Sequence, residues 1–279
     1  MTIHTTQETM NAAVHEFHLD RPGKPRLVPL GMGYVDRALG GLGPGSCGIL
    51  AAATGVGKSS TMLSAMLASS VKVGSVSVED TEDIVGSRLL SALSGIDSMR
   101  IRRKDLDKTD LKRLCAVAAD KKIDHMYFAY PTAGSIEQVE QDIAHLCEAG
   151  CKMIWVDYLQ EIRGHGNGDR RNEVSEAMTR CHRAAAAGGA ALMAVSQFRR
   201  LGDTERVPQI YHLKESGDLE NKARIIILAH RIKDPEGRDR IRYRVGKSTF
   251  GGEHVRWDCV RDTSGTLQET EALDYSKDM

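Results

Sequence analysis

Eight residues, Ala52-Ala-Thr-Gly-Val-Gly-Lys-Ser59, constrain this chain more than any other stretch of it. An apolar run over 49–53 leads into them and an amphipathic stretch follows. A strand that feeds a tight glycine loop and then a helix start turns successive backbone N–H groups, and the positive helix end, onto a single anion. Gly55 and Gly57 let the backbone approach phosphates without a Cβ clash. Lys58 can reach the β and γ phosphates, and Ser59 can offer its hydroxyl to Mg²⁺. Thr54, Val56 and Ser60 complete the nucleotide cradle. Ala52 stands where such loops usually begin with glycine, a position that mainly needs a small residue. A glycine turn before an ordinary helix is the competing explanation; the lysine and hydroxyl directly after the second glycine favour nucleotide binding.

Around this loop, apolar runs alternate with amphipathic stretches. Strands are predicted over 49–53, 74–78, 126–130, 153–157 and 190–196, with helices over 58–68, 82–94, 106–119, 135–149 and 172–187. Strands over 225–229, 241–245 and 254–257 follow with little helix between them. The pattern implies an α/β fold, a mostly parallel central sheet flanked by helices, with antiparallel strands added at its C-terminal end. Residues 1–29 read as a polar arm with one short helix near 9–17, and 30–261 as a nucleotide-binding domain. Residues 262–279, with five acidic residues and one lysine, read as a solvated acidic tail.

With 38 basic against 38 acidic residues, any contact with nucleic acid must come from local basic clusters. The six cysteines are scattered, and Cys147 with Cys151 has no second pair at metal-like spacing. They read as reduced thiols of a cytoplasmic protein. No apolar run approaches the roughly 20 residues that span a bilayer, so no membrane role is expected.

Nucleotide hydrolysis also needs a metal site, an activated water and a group that senses the γ phosphate. Met153-Ile-Trp-Val-Asp157 is an apolar strand ending in a carboxylate suited to Mg²⁺ through its water shell. Val76-Ser-Val-Glu79 ends likewise, and Glu79 could accept the proton of the attacking water. Asp80 follows immediately, and only strand register separates the two. Ala194-Val-Ser-Gln197 ends in a neutral amide that suits either a γ-phosphate contact or an exposed loop. Arg163, Arg170 and Arg171 share a predicted loop with Gly164, Gly166 and Gly168; Arg199 and Arg200 follow Gln197, and Lys214 precedes Glu215-Ser-Gly217. Basic glycine loops without aromatics fit sequence-independent contact with a single strand, and they equally fit solvated surface.

The order and wording of these segments resemble the RecA-like, P-loop NTPase motor domain of the DnaB family of replicative helicases, from about residue 30 to 257. Gly33-Tyr-Val-Asp36 and Gly40-Gly-Leu-Gly-Pro-Gly45 lie where that family approaches its phosphate loop. Val156-Asp-Tyr-Leu-Gln160 matches its Walker B segment, Asn172-Glu-Val-Ser-Glu176 the helix after it, and Val195-Ser-Gln197 its γ-phosphate sensor. Leu213-Lys-Glu-Ser-Gly-Asp-Leu-Glu220 resembles its DNA-facing loop. The resemblance implies a hexameric ring that threads single-stranded DNA, hydrolyses ATP with Mg²⁺ between subunits, and unwinds forked DNA during replication. It implies Lys58 and Ser59 on phosphate and metal, Asp157 supporting the metal, Glu79 as general base and Gln197 as sensor. It also implies Lys214, Glu215 and Gly217 at the DNA backbone. Val245-Gly-Lys-Ser-Thr-Phe-Gly251 resembles the segment that lends a lysine and an arginine finger to the neighbouring subunit.

Two departures accompany the resemblance. Lys247 matches the family lysine, but Thr249 stands in the arginine position, leaving Lys247, Arg244 or Arg231 to act in trans. The family's N-terminal primase-binding domain has no counterpart before Leu30, which suggests a minimal phage or plasmid protein in a bacterial cytoplasm, with primase, a loader or a polymerase as further partners. A helicase motor is the leading expectation. A RadA-like recombination or strand-annealing ATPase, and a nucleotide-gated assembly or loader protein without unwinding, are the alternatives.

Overall fold

The computed structural model describes residues 5–18, 27–120, 123–164, 169–198, 207–213, 216–252 and 255–270. Nine strands form one sheet: β1 (Cys47–Ala52), β2 (Val73–Ser77), β3 (Met126–Ala129), β4 (Met153–Asp157), β5 (Ala191–Gln197), β6 (Ile225–Ile232), β7 (Asp239–Ser248), β8 (Arg256–Arg261) and β9 (Leu267–Glu269). Their order is β3-β2-β4-β5-β1-β6-β7-β8-β9. The first six strands in this row run parallel and the last three add antiparallel. The expected α/β architecture is therefore present.

The helices are α1 (Thr6–His18), α2 (Gly33–Leu39), α3 (Lys58–Leu67), α4 (Glu82–Ser94), α5 (Ser98–Arg103), α6 (Lys108–Ala118), α7 (Ile136–Glu148), α8 (Arg170–Ala187) and α9 (Ser216–Lys222). Parallel strands covered on both faces must be apolar throughout, and β1, β2 and β4 are buried at every residue. One face packs Met62 and Met66 of α3 with Trp155, Tyr243 and Trp257. The other packs Ile136, Val139 and Ile143 of α7 and Met178 and Cys181 of α8 against Ile154, Val156 and Leu192.

The structure corrects several boundaries. The helix expected over 106–119 begins at Lys108, where Asp107 and Asp110 form a capping box, and α5 precedes it. Arg170 and Arg171 belong to no loop: they open α8, because the Asp169 side chain accepts the Arg171 N–H and starts the helix there. The sheet also continues past residue 261. Asp262 Oδ1 accepts the N–H groups of Ser264 and Thr266, turning the chain so that β9 pairs with β8. Residues 267–269, within the segment expected to be a tail, thus extend the sheet as an exposed edge strand. Residues 271–279, Arg199, Arg200, Gly166, Gly168, Lys214, Glu215 and His254 lie outside the described residues.

Candidate nucleotide-binding and catalytic site

The phosphate loop joins β1 to α3 at the carboxyl end of the parallel strands. Gly55 (φ +79°) and Gly57 (φ +111°) hold backbone conformations that L side chains rarely adopt. A Cβ on Gly57 would lie 2.5 Å from Nη1 of Arg261, the movable end of a long side chain, so the positive φ is what requires glycine there. The α3 N-terminus has no side-chain cap and no acidic residue in its first turn. Its first N–H groups and its positive end therefore face the loop, ready for an anion.

Register then assembles the other groups. β4 lies beside β2 with Asp157 opposite Ser77, and β5 lies beside β1 with Gln197 opposite Ala52. Asp157 is 2% exposed. Its Oδ1 has no hydrogen-bond partner, and the nearby Ser59 hydroxyl favours its charged form. Burial is the main cause raising its pKa, and it outweighs Ser59 and the Lys58 and Arg88 cations. Burial likewise lowers the Lys58 pKa against the attraction of Asp157 and Glu79, and Lys58 Nζ lies 5.7 Å from the Tyr158 ring centre.

The two adjacent carboxylates after β2 have different surroundings. Asp80 is gripped by both terminal nitrogens of Arg88 and is committed to that ion pair. Glu79 is exposed and faces Lys58, Asp157 and Glu161. Partial burial first, then the negative charges of Asp157 and Asp80, raise its pKa, which strengthens it as a base. Gln197 Nε2 donates to Thr54 Oγ1 at 2.5 Å, so the amide at the end of β5 touches the phosphate loop directly. Gln160 supports it: its Oε1 accepts the Gln197 N–H at 3.3 Å and its Nε2 donates to Ser196 Oγ at 2.9 Å.

The residues expected to act elsewhere are distributed unevenly. Lys247 pairs with Ile226 on β6, three residues before Ala229, the neighbour of Ala52. At about 3.3 Å per residue this sets Lys247 roughly 10 Å below the level of its own phosphate loop and two strands away. Its Nζ donates to the Glu220 carbonyl. Arg231 pairs with Asp239 at 2.9 Å, and Arg244 donates to the segment at Pro208 and Gln209. Arg170 spends its guanidinium on the Gln160 and Ile162 carbonyls and on Glu173. Arg171 and Gly217 do come together: Arg171 Nη2 lies 3.6 Å from where a Gly217 Cβ would be.

Sequence reasoning missed Gln160, Arg88 and Arg261. Gln160 follows Asp157 in the quoted segment and could have been found there. Arg261 carries no local signal, because only the β7–β8 register puts it opposite Asp239, whose Oδ2 accepts its Nε at 2.7 Å.

The fold and this arrangement of loop, carboxylates and amide are those of a RecA-like P-loop domain. Residues 28–252 match the DnaB-like helicase C terminal domain, and the chain belongs to that family. It is 25% identical over 217 residues to a probable plasmid replicative DNA helicase of Chlamydia trachomatis serovar L2, covering 75% of this chain and 48% of the relative. It is 26% identical over 234 residues to the replicative DNA helicase DnaB of Leifsonia xyli subsp. xyli, covering 80% and 51%. The chain thus spans about half the length of these relatives. Among solved structures, the ATPase domain of G40P superposes with a TM-score of 0.81 at 21% identity, covering 97% of this chain and all of that one. A DnaB-like replicative helicase, described with its interactions with primase, gives 0.79 at 21% identity, covering 97% and 68%. Both share the fold.

The donor set suits Mg²⁺. A buried carboxylate oxygen without a partner stands beside a serine hydroxyl, and among the described residues no three His, Cys, Asp or Glu side chains gather into a protein-only cage. Mg²⁺ at phosphates uses few protein ligands in this way.

One consequence is testable without nucleotide. Because the Asp157 pKa is raised above 3.8 in the fold, the folded chain holds that proton better than the unfolded chain. Its contribution therefore turns unfavourable as pH rises from 3.8 through the folded value. Asp157→Asn should raise the metal-free melting temperature by about a few degrees at pH 7, and the advantage should shrink towards pH 4. Thermal melts across that range decide it; a constant difference would show that the Asp157 charge is not what the fold resists.

Proposed function

We propose that this chain is the motor of a replicative DNA helicase, which hydrolyses ATP as a homo-oligomeric ring, a hexamer by family resemblance, and moves along single-stranded DNA to unwind a fork. The observation that carries the proposal is the bond from Gln197 to Thr54. The next residue, Phe198, bridges to Leu213, the first residue of the segment read as DNA-facing, so the side chain that touches the phosphate loop stands beside the start of that segment. Arg171 and Gly217 form the described part of that basic surface, to which the sequence adds Lys214 and Glu215. Arg170 serves it by holding the Gln160 backbone.

In this proposal Lys58 and the α3 N-terminus neutralise the β and γ phosphates. Ser59 and Asp157 would hold Mg²⁺, which supplies further positive charge to the phosphates. Glu79 takes a proton from water as its oxygen bonds to the γ phosphorus, and the bond to the β–γ bridging oxygen breaks. Gln197 holds the water or the γ phosphate and loses that contact when phosphate leaves.

Lys247 is turned away from its own site, which supports a role at the next subunit's nucleotide. Met10 and Val14 on α1, and Ile84, Met99 and Leu111 on α4, α5 and α6, are 40–50% exposed and offer apolar contacts for assembly. The alternative of a nucleotide-gated assembly protein draws on Thr249 in the arginine position and on the internal bonds of Arg231 and Arg244. Among the described residues no helix is long and apolar enough to cross a membrane; the proposed setting is a bacterial cytoplasm.

The test is strand displacement from a forked duplex with ATP and Mg²⁺. ATP-dependent displacement that Lys58→Ala abolishes is the expected result. Folded protein that binds ATP and DNA yet displaces nothing would move the assignment to assembly or annealing.

A further inference from the structure

Arg244 lies in the middle of β7, opposite Leu228 of β6 and Arg256 of β8. Its Nη2 donates to the Pro208 carbonyl at 2.7 Å and to Gln209 Oε1 at 2.6 Å, while its Nε is buried without a partner. Burial, and then Arg256, push its pKa down. The fold therefore keeps a cation against both desolvation and a like charge, where an apolar side chain would meet neither cost. What arginine offers in exchange is a planar guanidinium whose Nη2 directs one N–H to each of two acceptors. Both acceptors here belong to one short segment.

That segment is the return limb of the connection between β5 and α9. Its outgoing end is fixed by Gln197 on Thr54 and by the Phe198 N–H on the Ala52 carbonyl at 3.3 Å. Its returning end is closed by a 3-10 turn over Ile210–His212, with the Gln209 N–H on His212 Nδ1 at 2.8 Å, and by the Phe198–Leu213 bridge. Three residues beyond Arg244 on the same strand, Lys247 is bonded to Glu220 of α9, and the Thr249 N–H donates to the Arg224 carbonyl at 2.9 Å.

We propose that Arg244 is a positioning residue that ties the return limb of this connection to β7, so that a shift of the limb on DNA is passed to the strand that presents Lys247 to a neighbouring subunit. The proposal rests on reading residues 213–220, into which this limb leads, as DNA-facing. It also takes Arg244 out of the search for a substitute arginine finger.

Two readouts test it. Hydrogen exchange over residues 207–213, without DNA, should speed up in both Arg244→Met and Gln209→Ala, with far-UV dichroism and melting confirming that each variant folds. ATP turnover should then be measured with and without a single-stranded oligonucleotide. Gln209→Ala should keep basal turnover within about twofold, and each variant should lower the ratio of DNA-stimulated to basal turnover by about fivefold or more. The double variant should be no worse than Arg244→Met alone. Unchanged exchange or additive losses would overturn the proposal. Faster exchange in the variants together with a wild type that DNA does not stimulate would instead refute the DNA-facing reading, and with it the transmission, while leaving the tie itself in place.

Discussion

Lys58→Ala is expected to lower ATP turnover by about 10³-fold or more, the scale on which a single charge-stabilising group acts in phosphoryl transfer. Lys58 is the first residue of α3, half-buried, and its charge is maintained by Asp157 and Glu79 against desolvation. Removing it leaves Asp157 without the stronger of the two cations that lower its pKa, and takes from the phosphates the one cation of the loop. Nucleotide affinity should fall together with turnover, because the lysine contacts the ground state as well as the transition state. The fold should survive, since the core on this face rests on Met62, Met66 and Trp155. Steady-state hydrolysis beside a melting curve checks both halves. Turnover within about tenfold of wild type in a folded variant would mean that the loop is not the site of chemistry.

Glu79→Gln separates binding from chemistry. Glutamine keeps the size and a hydrogen-bonding oxygen but cannot take a proton, so nucleotide affinity should stay close to wild type while turnover drops about 10²–10⁴-fold. It also removes one of the negative charges that face Lys58 and Asp157, which makes tighter nucleotide binding a reasonable accompaniment. Asp80→Asn is the natural comparison. Its carboxylate is held by Arg88, so its loss should act through the packing of α4 and not through proton transfer. Single-turnover hydrolysis paired with equilibrium nucleotide binding distinguishes the two variants. If Asp80→Asn showed the larger chemical defect with unchanged binding, the base would have to be moved to Asp80.

The parts of the fold legible in the sequence are those whose identity is decided locally. Met153–Asp157 is a strand because five residues buried on both faces must read as a continuous apolar run, and its observed limits are the predicted ones. Glu82–Ser94 likewise matches, with acidic residues in the first turn and Gly95 in the left-handed region at its end. The short helix α2 escaped because its start is set from within the helix: the Asp36 carboxylate accepts the N–H groups of Leu30, Gly31 and Met32 at 2.7–3.0 Å. Burial nonetheless raises its pKa, outweighing those three bonds. β9 escaped because Leu267–Glu269 is mostly polar and exposed at a sheet edge, where alternation is weak. The Asp262-Thr-Ser-Gly265 turn before it was the available signal.

The site divides in the same way. Lys58, Ser59, Asp157 and Gln197 were readable because strand ends and a glycine loop converge in any sheet of this class. The distinction between Glu79 and Asp80 needed Arg88, eight residues further on. The place of Arg261 against Gly57 needed two strands from the far end of the chain.

The bridge between Phe198 and Leu213 has a consequence for how such a chain can change over generations. Once the two feet of a connection are fastened to the sheet, the entropy of closing the span between them grows only with the logarithm of its length, about 0.6 kcal/mol for each doubling. Residues can be added to or removed from that span at little expense to the stability of the nucleotide site below it. The same scaffold can therefore host surfaces of quite different size and charge at this point, and divergence among relatives should concentrate there while the fastening residues hold their positions.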